Sequence, residues 1–336
     1  EMLRSLVGSE MCIRDRIKAG SVIAATIPIM PSVIRTSDRV NAICILTLFT
    51  FPVSAFAAER SVSSPSDYKY GTSVTYNVLT DEISYGDDQV KESSSTPNTS
   101  KQKGVVINNT QTSLTSSPDL TYAPISDTLL SPYRNVCYVS GILPDGTSIR
   151  GSGVLVYTNI LLTSGHMVYQ SNHGGWIHDL QVMPARNGGS APLGITTSTS
   201  ITTNNAWIGN ADPDWDWAII DLANSYSTWQ TFGYYTDYKA SVGSLIEHIG
   251  FPLNNTNYYM YHCSGYITEA TDRRMYFDAY SQDGFSGGAI IDSNSGALVG
   301  ITRGVWAKNY PWEKYDCVRI NEDLSNRISM HIKEKQ

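Results

Sequence analysis

Asp283-Gly284-Phe285-Ser286-Gly287-Gly288-Ala289 sets a serine in a glycine-rich turn that runs straight into an apolar segment, Ala289 to Asp292. Glycines beside a serine permit positive φ and let a substrate backbone come close, although a plain hairpin turn has the same composition. Leu162-Thr163-Ser164-Gly165-His166 ends an apolar strand in small residues and a histidine. Asp214-Trp215-Asp216-Trp217-Ala218-Ile219-Ile220-Asp221-Leu222 puts a carboxylate directly before a run that must be buried, so Asp216 is expected at the rim of a core. Each stretch alone has an ordinary structural explanation; together they are far more specific. A serine hydroxyl is too weak an acid to attack an amide unaided and needs a neutral imidazole as base. That imidazole needs a carboxylate to fix its tautomer and stabilise the imidazolium. The chain order His166, Asp216, Ser286 supplies all three. The backbone N–H groups of Gly284 and Ser286 are then candidate oxyanion donors.

Two rival motifs fail. Gly284-Phe285-Ser286-Gly287-Gly288 also fits the G-x-S-x-G elbow of α/β-hydrolases, but that fold needs its acid and histidine after the serine, and too little chain follows, with His331 almost at its end. Asp212-Pro213-Asp214-Trp215-Asp216 imitates the start of an EF-hand loop, yet Trp217 stands where glycine is required and Ala223 where glutamate is.

Outward from these motifs the chain is rich in turn residues and low in charge: 16% of its 336 residues are charged, against about a quarter in average soluble domains. Short apolar or alternating runs, separated by Gly, Pro, Asn and Asp, predict strands near 135–141, 153–157, 160–163, 180–183, 216–222, 244–250, 258–268, 274–279, 289–292, 297–305 and 317–320. That spacing points to an all-β barrel or sandwich. One helix is expected at the end, with Asn321 as N-cap, Glu322 and Asp323 in the first turn, and Leu324, Ile328 and Ile332 on one face. Lys plus Arg total 24 against 31 Asp plus Glu, a net charge of −7. With no basic stripe, nucleic acid is a poor partner.

Residues 1–16 resemble translated sequencing-adapter read-through and are set aside. Within 30–57, Arg35 and Arg39, the apolar Val40 to Val53 and the small residues around Ala57 form the pattern of a secretory signal peptide. Secretion to the extracellular space is therefore expected, with no membrane association after signal removal. Residues 58–103 are Ser/Thr-rich, too poor in apolar side chains to fold alone, and are expected to be a propeptide or linker. Residues 104–336 then form the functional domain. Three sequons occur, at Asn98, Asn108 and Asn254. Outside the first two segments the cysteines are Cys137, Cys263 and Cys317, which allow at most one internal disulfide and sit in no zinc-binding spacing.

From about Ser131 to Ile332 the chain resembles the chymotrypsin-fold serine peptidases, closest to the bacterial-type glutamyl endopeptidase branch. The resemblance rests on Ser131-Pro132-Tyr133-Arg134, Thr163-Ser164-Gly165-His166, Pro184-Ala185-Arg186-Asn187-Gly188, Asp214-Trp215-Asp216-Trp217-Ala218, Gly250-Phe251-Pro252 and Ser286-Gly287-Gly288. It implies two antiparallel β-barrels with a C-terminal helix and an active site between the barrels. It further implies a secreted serine endopeptidase, made as a zymogen, that acts as a monomer on protein or peptide substrates without cofactor or metal. His166, Asp216 and Ser286 would be its triad. A silent homologue used for binding, or an esterase on the same fold, are the competing functions.

Four departures qualify the resemblance. Met167 follows the histidine where the family often has cysteine, and Gly151 stands at the bonding partner's place. Thr302, in Gly300-Ile301-Thr302-Arg303-Gly304, replaces the histidine with which the glutamyl branch contacts a substrate acid, while Ser281 keeps that branch's small hydroxyl residue. Arg303 could supply the missing charge, but strand alternation turns it away from Thr302 and makes it a surface arginine. Phe285 stands where trypsin-like enzymes keep an Asp for the new N-terminus. Ser281, Thr302 and Arg303 are accordingly the candidate substrate-binding residues, and an altered acidic preference is expected.

Overall fold

A computed structural model describes residues 69–86, 122–226, 233–234, 238–254, 257–305 and 315–335. The adapter-like stretch, the signal segment and the region around Lys103 lie outside them. In chain order the strands are β1 (Ser73–Asn77), β2 (Glu82–Tyr85), β3 (Ala123–Pro124), β4 (Val136–Ile142), β5 (Ser148–Tyr157), β6 (Ile160–Thr163), β7 (Tyr169–Gln170), β8 (Gly175–Trp176), β9 (His178–Pro184), β10 (Thr196–Asn204), β11 (Ala218–Leu222), β12 (Leu245–Gly250), β13 (Tyr261–Ala270), β14 (Arg274–Phe277), β15 (Ala289–Asp292), β16 (Leu298–Val305) and β17 (Tyr315–Arg319). The described α-helices are α1 (Asn205–Asn210) and α2 (Glu322–Lys333).

The strands close into two antiparallel barrels. The order β11-β6-β5-β4-β9-β10 returns on itself through the β10–β11 pairing. The order β12-β15-β16-β17-β14-β13 does so through β12–β13. Successive residues of β6 and β11 serve opposite faces, as the period of a strand requires. Leu161 and Ile220 fill the interior of the first barrel, where Leu155 and Val182 also lie. Leu162 and Ile219 turn outward to meet Ile249, Phe251, Ile291 and Ile301 of the second barrel. Burial on both faces explains why these strands read as unbroken apolar runs. Ile246, Phe277, Ile290 and Val299 fill the second barrel. The three cysteines are free and buried.

Six described strands, β1, β2, β3, β7, β8 and β10, fall outside the predicted runs, with β10 and β1 the longest of them. β10 is Thr-Thr-Ser-Thr-Ser-Ile-Thr-Thr-Asn, with β-branched threonines that suit a strand but a single apolar side chain. It is fixed by neighbours: Thr203 donates to the Trp217 carbonyl at 2.6 Å, and Thr202 meets Thr75 at 2.8 Å. β1 lies within the Ser/Thr-rich segment read as a linker. It pairs with β10 from Ser73↔Asn204 to Asn77↔Ser200 and turns Val74 and Tyr76 into the first barrel's core, 1% and 5% exposed. Asn77 closes the turn into β2 by accepting from the Leu79 and Thr80 N–H groups. Its described part, residues 69–86, packs on the barrel.

Helix α2 forms as its caps foretell, with Asn321 Oδ1 accepting from Leu324 N at 3.0 Å. Leu324 and Ile328 are buried in the core between the barrels. Its last turn reaches back to β11, where buried Asp221 accepts from His331 Nε2 at 2.8 Å and meets Lys335 Nζ at 3.0 Å. Burial alone would raise the Asp221 pKa, but hydrogen bonds from His331 and Ser200 outweigh it and hold the carboxyl at about 2. A folded-state value below the ordinary 3.8 means that this stabilisation is complete above the ordinary value and is lost as pH falls through the folded one. Asp221→Asn is expected to cost about 2 kcal/mol at neutral pH in urea unfolding, and the gap to wild type should close on acidification toward the folded-state value. A gap constant across that range would show that Asp221 carries no such linkage.

Candidate active site

Strand β6 delivers His166 to the cleft. After Thr163 the chain turns through a short 3₁₀ segment, Gly165–Met167, anchored on both sides. Thr163 Oγ1 donates to the Ser152 carbonyl and Ser164 Oγ to the Thr302 carbonyl, each at 2.7 Å. Asp216 comes from the loop before β11, whose turn Pro213–Trp215 is capped by Asp212 accepting from Asp214 N at 2.9 Å. Asn204 Nδ2 holds the same loop through the Trp215 carbonyl at 3.0 Å. The carboxylate of Asp216, 1% exposed, uses both oxygens on one residue. Oδ2 accepts from His166 Nδ1 and Oδ1 from the His166 backbone N–H, both at 2.8 Å. An Nδ1–H donor leaves Nε2 as the basic nitrogen of the neutral ring.

The Ser286 turn belongs to the second barrel but is held by the first. Ser152 N donates to the Ser286 carbonyl and Ser152 Oγ to the Gly284 carbonyl, both at 2.8 Å. Gly284 has φ +98°, and a Cβ there would collide with the Phe251 carbonyl and Leu253 N. The Asp283 carbonyl accepts from Leu253 N at 2.8 Å. Because a trans peptide points its C=O and N–H in opposite directions, this bond aims the Gly284 N–H away from Leu253. Among the described residues neither the Gly284 nor the Ser286 N–H has an acceptor. Ser286 Oγ donates to the Arg303 carbonyl at 3.4 Å, and no hydrogen bond joins it to His166. Ser286, His166, Asp216 and Arg303 line one open cleft.

The three candidate specificity residues do different things. Thr302 is fully buried and its hydroxyl lies 2.7 Å from Nε2 of His248 on β12. His248 Nδ1 faces the Tyr280 carbonyl at 3.1 Å and so carries the proton, which makes Nε2 an acceptor and commits the Thr302 hydroxyl to it. Burial lowers the His248 pKa to about 3 and keeps the ring neutral. Ser281 is buried, and among the described residues its hydroxyl has no partner. Arg303 does lie on the face opposite Thr302, but not as a solvated arginine. Its Nη1 binds both oxygens of Asp316, at 3.1 and 3.2 Å, and its Nε lies 3.6 Å from Asp216 Oδ2. Asp316 is completely buried, and burial raises its pKa even though Arg303 and Arg274 flank it. His248, Asp316 and Arg274 were not singled out by any motif. Alternation from Ile246 would have placed His248 inside the barrel, but nothing local marks its partner.

Gly151 and Met167 do come together. A Cβ at Gly151 would lie 2.6 Å from Met167 Sδ, so the thioether occupies the room that a larger residue at 151 would need. Phe285, also fully buried, packs its ring 4.3 Å from that of His248.

Residues 151–301 match the family model of the trypsin-like peptidase domain. The chain is 35% identical over 135 residues to an extracellular metalloprotease of Bacillus subtilis, covering 39% of this chain and 43% of that protein. It thus spans less than half the length of that relative. It is 26% identical over 263 residues to the glutamyl endopeptidase of Bacillus licheniformis, covering 75% of this chain and 80% of that one. Among the described residues no group of three His, Cys, Asp or Glu could hold a metal ion. A solved Glu endopeptidase superposes with a TM-score of 0.56 at 21% identity, covering 63% of this chain and 97% of that one. The thermostable serine protease AL20 superposes with a TM-score of 0.51 at 16% identity, covering 59% and 97%. With two closed barrels and a C-terminal helix already in place, these matches give the chain the chymotrypsin-like fold, with a stretch similar to the trypsin-like peptidase domain and a likeness to the glutamyl endopeptidase of Bacillus licheniformis.

Proposed function

We propose that the protein is a secreted, monomeric serine endopeptidase, made with a signal and a pro-segment, that cuts protein or peptide substrates through His166, Asp216 and Ser286. The observation that carries this reading is the double grip of Asp216 on His166 beside a serine turn with two unpaired N–H groups. Ser286 Oγ first rotates from the Arg303 carbonyl to His166 Nε2, a change of one side-chain rotamer. His166 takes the hydroxyl proton as Oγ attacks the substrate carbonyl. The negative oxygen settles between the N–H groups of Gly284 and Ser286. His166 returns the proton to the leaving amine, and an acyl-enzyme remains. Water then gives His166 a proton as it attacks the acyl carbon, and His166 passes that proton to Ser286 Oγ as the acyl C–O bond breaks and the product acid leaves, while Asp216 holds the ring and balances its charge. Ser286→Ala and His166→Ala are each expected to lower kcat by about four to six orders of magnitude with the fold intact. Fluorophosphonate labelling should be lost with Ser286. If Ser286→Ala kept more than a few per cent of activity, the assignment would be wrong. Labelling without peptide cleavage would favour the esterase, and an unlabelled wild type the binding homologue.

Acidic preference rests on Ser281 more than on Thr302. The Thr302 donor is spent on His248, and the Arg303 charge is held by Asp316 and Asp216. The unpartnered Ser281 hydroxyl is the buried donor left to meet a substrate carboxylate. A hydrogen bond to a charged group contributes about 1.5–3 kcal/mol, so Ser281→Ala should lower kcat/KM for a Glu peptide about ten- to a hundredfold relative to a matched Leu peptide. Equal losses on both peptides would remove Ser281 from specificity.

Maturation is proposed near Lys103, ahead of Gly104-Val105-Val106-Ile107. With Phe285 in place of an acid, the new amino group forms no ion pair at that position. N-terminal sequencing of the cut form should place the start before Ala123, because β3 pairs with β13; a start well beyond Ser131 would exclude this cut.

A further inference from the structure

The strip Lys69 to Gly86 lies upstream of the proposed cut yet is part of the first barrel. Strand β11 occupies one flank of β10. On the other, β9 reaches only Thr196–Thr197, and β1 takes over along Ser200–Asn204. Val78 N continues the ladder to the Thr199 carbonyl at 3.0 Å. Beyond the strand, Asn205 N donates to the Thr72 carbonyl at 2.8 Å and Asn205 Nδ2 to the Lys69 carbonyl at 2.9 Å. From helix α2, Arg327 reaches Ser73 Oγ at 2.6 Å and the Gly71 carbonyl at 3.1 Å. Inside, Tyr76 stacks on Trp176 with ring centroids 5.3 Å apart.

The same strip grips the loop that carries Asp216. Gly71, at φ +85°, lies against the Trp215 indole so closely that a Cβ would overlap it. The Tyr70 hydroxyl donates to Asp212, the residue that caps the turn before Asp216. The Tyr70 ring meets Trp215 edge-on at 6.1 Å between centroids. These contacts tie the strip to β10, to α2 and to the site loop at once.

We infer that residues 69–86 remain docked after maturation as a non-covalent second chain that completes the first barrel and positions Asp216 through Trp215 and Asp212. This rests on the proposed cut falling between Gly86 and Tyr122, and not on where within that stretch it falls. Stripping the segment would open the β10 flank, uncover two core side chains and free one face of Trp215. Tyr70 and Gly71 act through the loop and are positioning residues.

The test uses the full chain with a recognition sequence for a site-specific protease substituted at residues 98–103, cut after folding. Mass spectrometry of the native size-exclusion peak is expected to find both pieces together, and in guanidinium to find them apart. Val74→Asp, made in the same background, should release the short piece in native buffer. Tyr70→Phe should lower kcat several-fold while leaving KM and the melting temperature within error. The inference is overturned if the short piece elutes alone in native buffer and the remainder keeps its kcat and melting temperature, or if Val74→Asp stays bound. Co-elution is read without activity, so an inactive but intact pair would sink the peptidase reading and leave this one standing.

Discussion

Ser152 is the fixed point between the two barrels. Fully buried on β5, it donates its N–H to the Ser286 carbonyl and its hydroxyl to the Gly284 carbonyl. That hydroxyl also accepts from Phe251 N at 2.9 Å, and its carbonyl accepts from Thr163, three residues before His166. One residue of the first barrel therefore sets the height of the serine turn in the second and anchors the strand that delivers the histidine. A buried polar group with every bond made contributes rigidity. Here the rigidity is between two halves whose shared core is otherwise largely apolar, and it joins the bond from Ser164 to the Thr302 carbonyl in fixing how they meet.

A second line of constraint runs through charge. From Asp214, bonded to Arg274 Nε at 2.6 Å, the chain of ions passes to Asp316, then to Arg303, and ends 3.6 Å from Asp216. Its members alternate in sign and come from both barrels. Removing a charge from water is costly, and a lone buried Asp316 would be strongly destabilising; between two guanidinium groups it becomes tolerable. The arrangement also ties the Arg303 guanidinium, where it lines the cleft, to carboxylates of its own chain. Its Cα belongs to a strand with an irregular register between Thr302 and Gly304.

How much of this was readable beforehand divides along physical lines. Ser286, His166 and Asp216 stand out because each needs small or acidic neighbours at the end of an apolar strand, a local requirement that leaves a local trace. Strands such as Ile160–Thr163 and Ala289–Asp292 were located to the residue, since burial on both faces produces a short unbroken apolar run with defined ends. β10 and β1 left no such trace: their order comes from cross-strand bonds to partners far away in the chain, and a threonine looks the same in a linker as in a ladder. His248 and Asp316 are likewise set by what faces them. A single chain records which residues are unusual for their neighbours, and not which distant residue has been recruited to make them comfortable.

The contact between Gly151 and Met167 has a chemical corollary. In place of a covalent bridge beside His166 there is a thioether resting on a bare backbone, held by dispersion and by shape. With all three described cysteines unpaired and buried, nothing among the described residues needs an oxidant to form or yields to a thiol reductant. The turn that carries His166 is instead vulnerable to a different change. A sulfoxide at Met167, which is 2% exposed, would be too polar and too large for a space closed by a glycine, and the histidine would lose its footing without any bond in the backbone being broken.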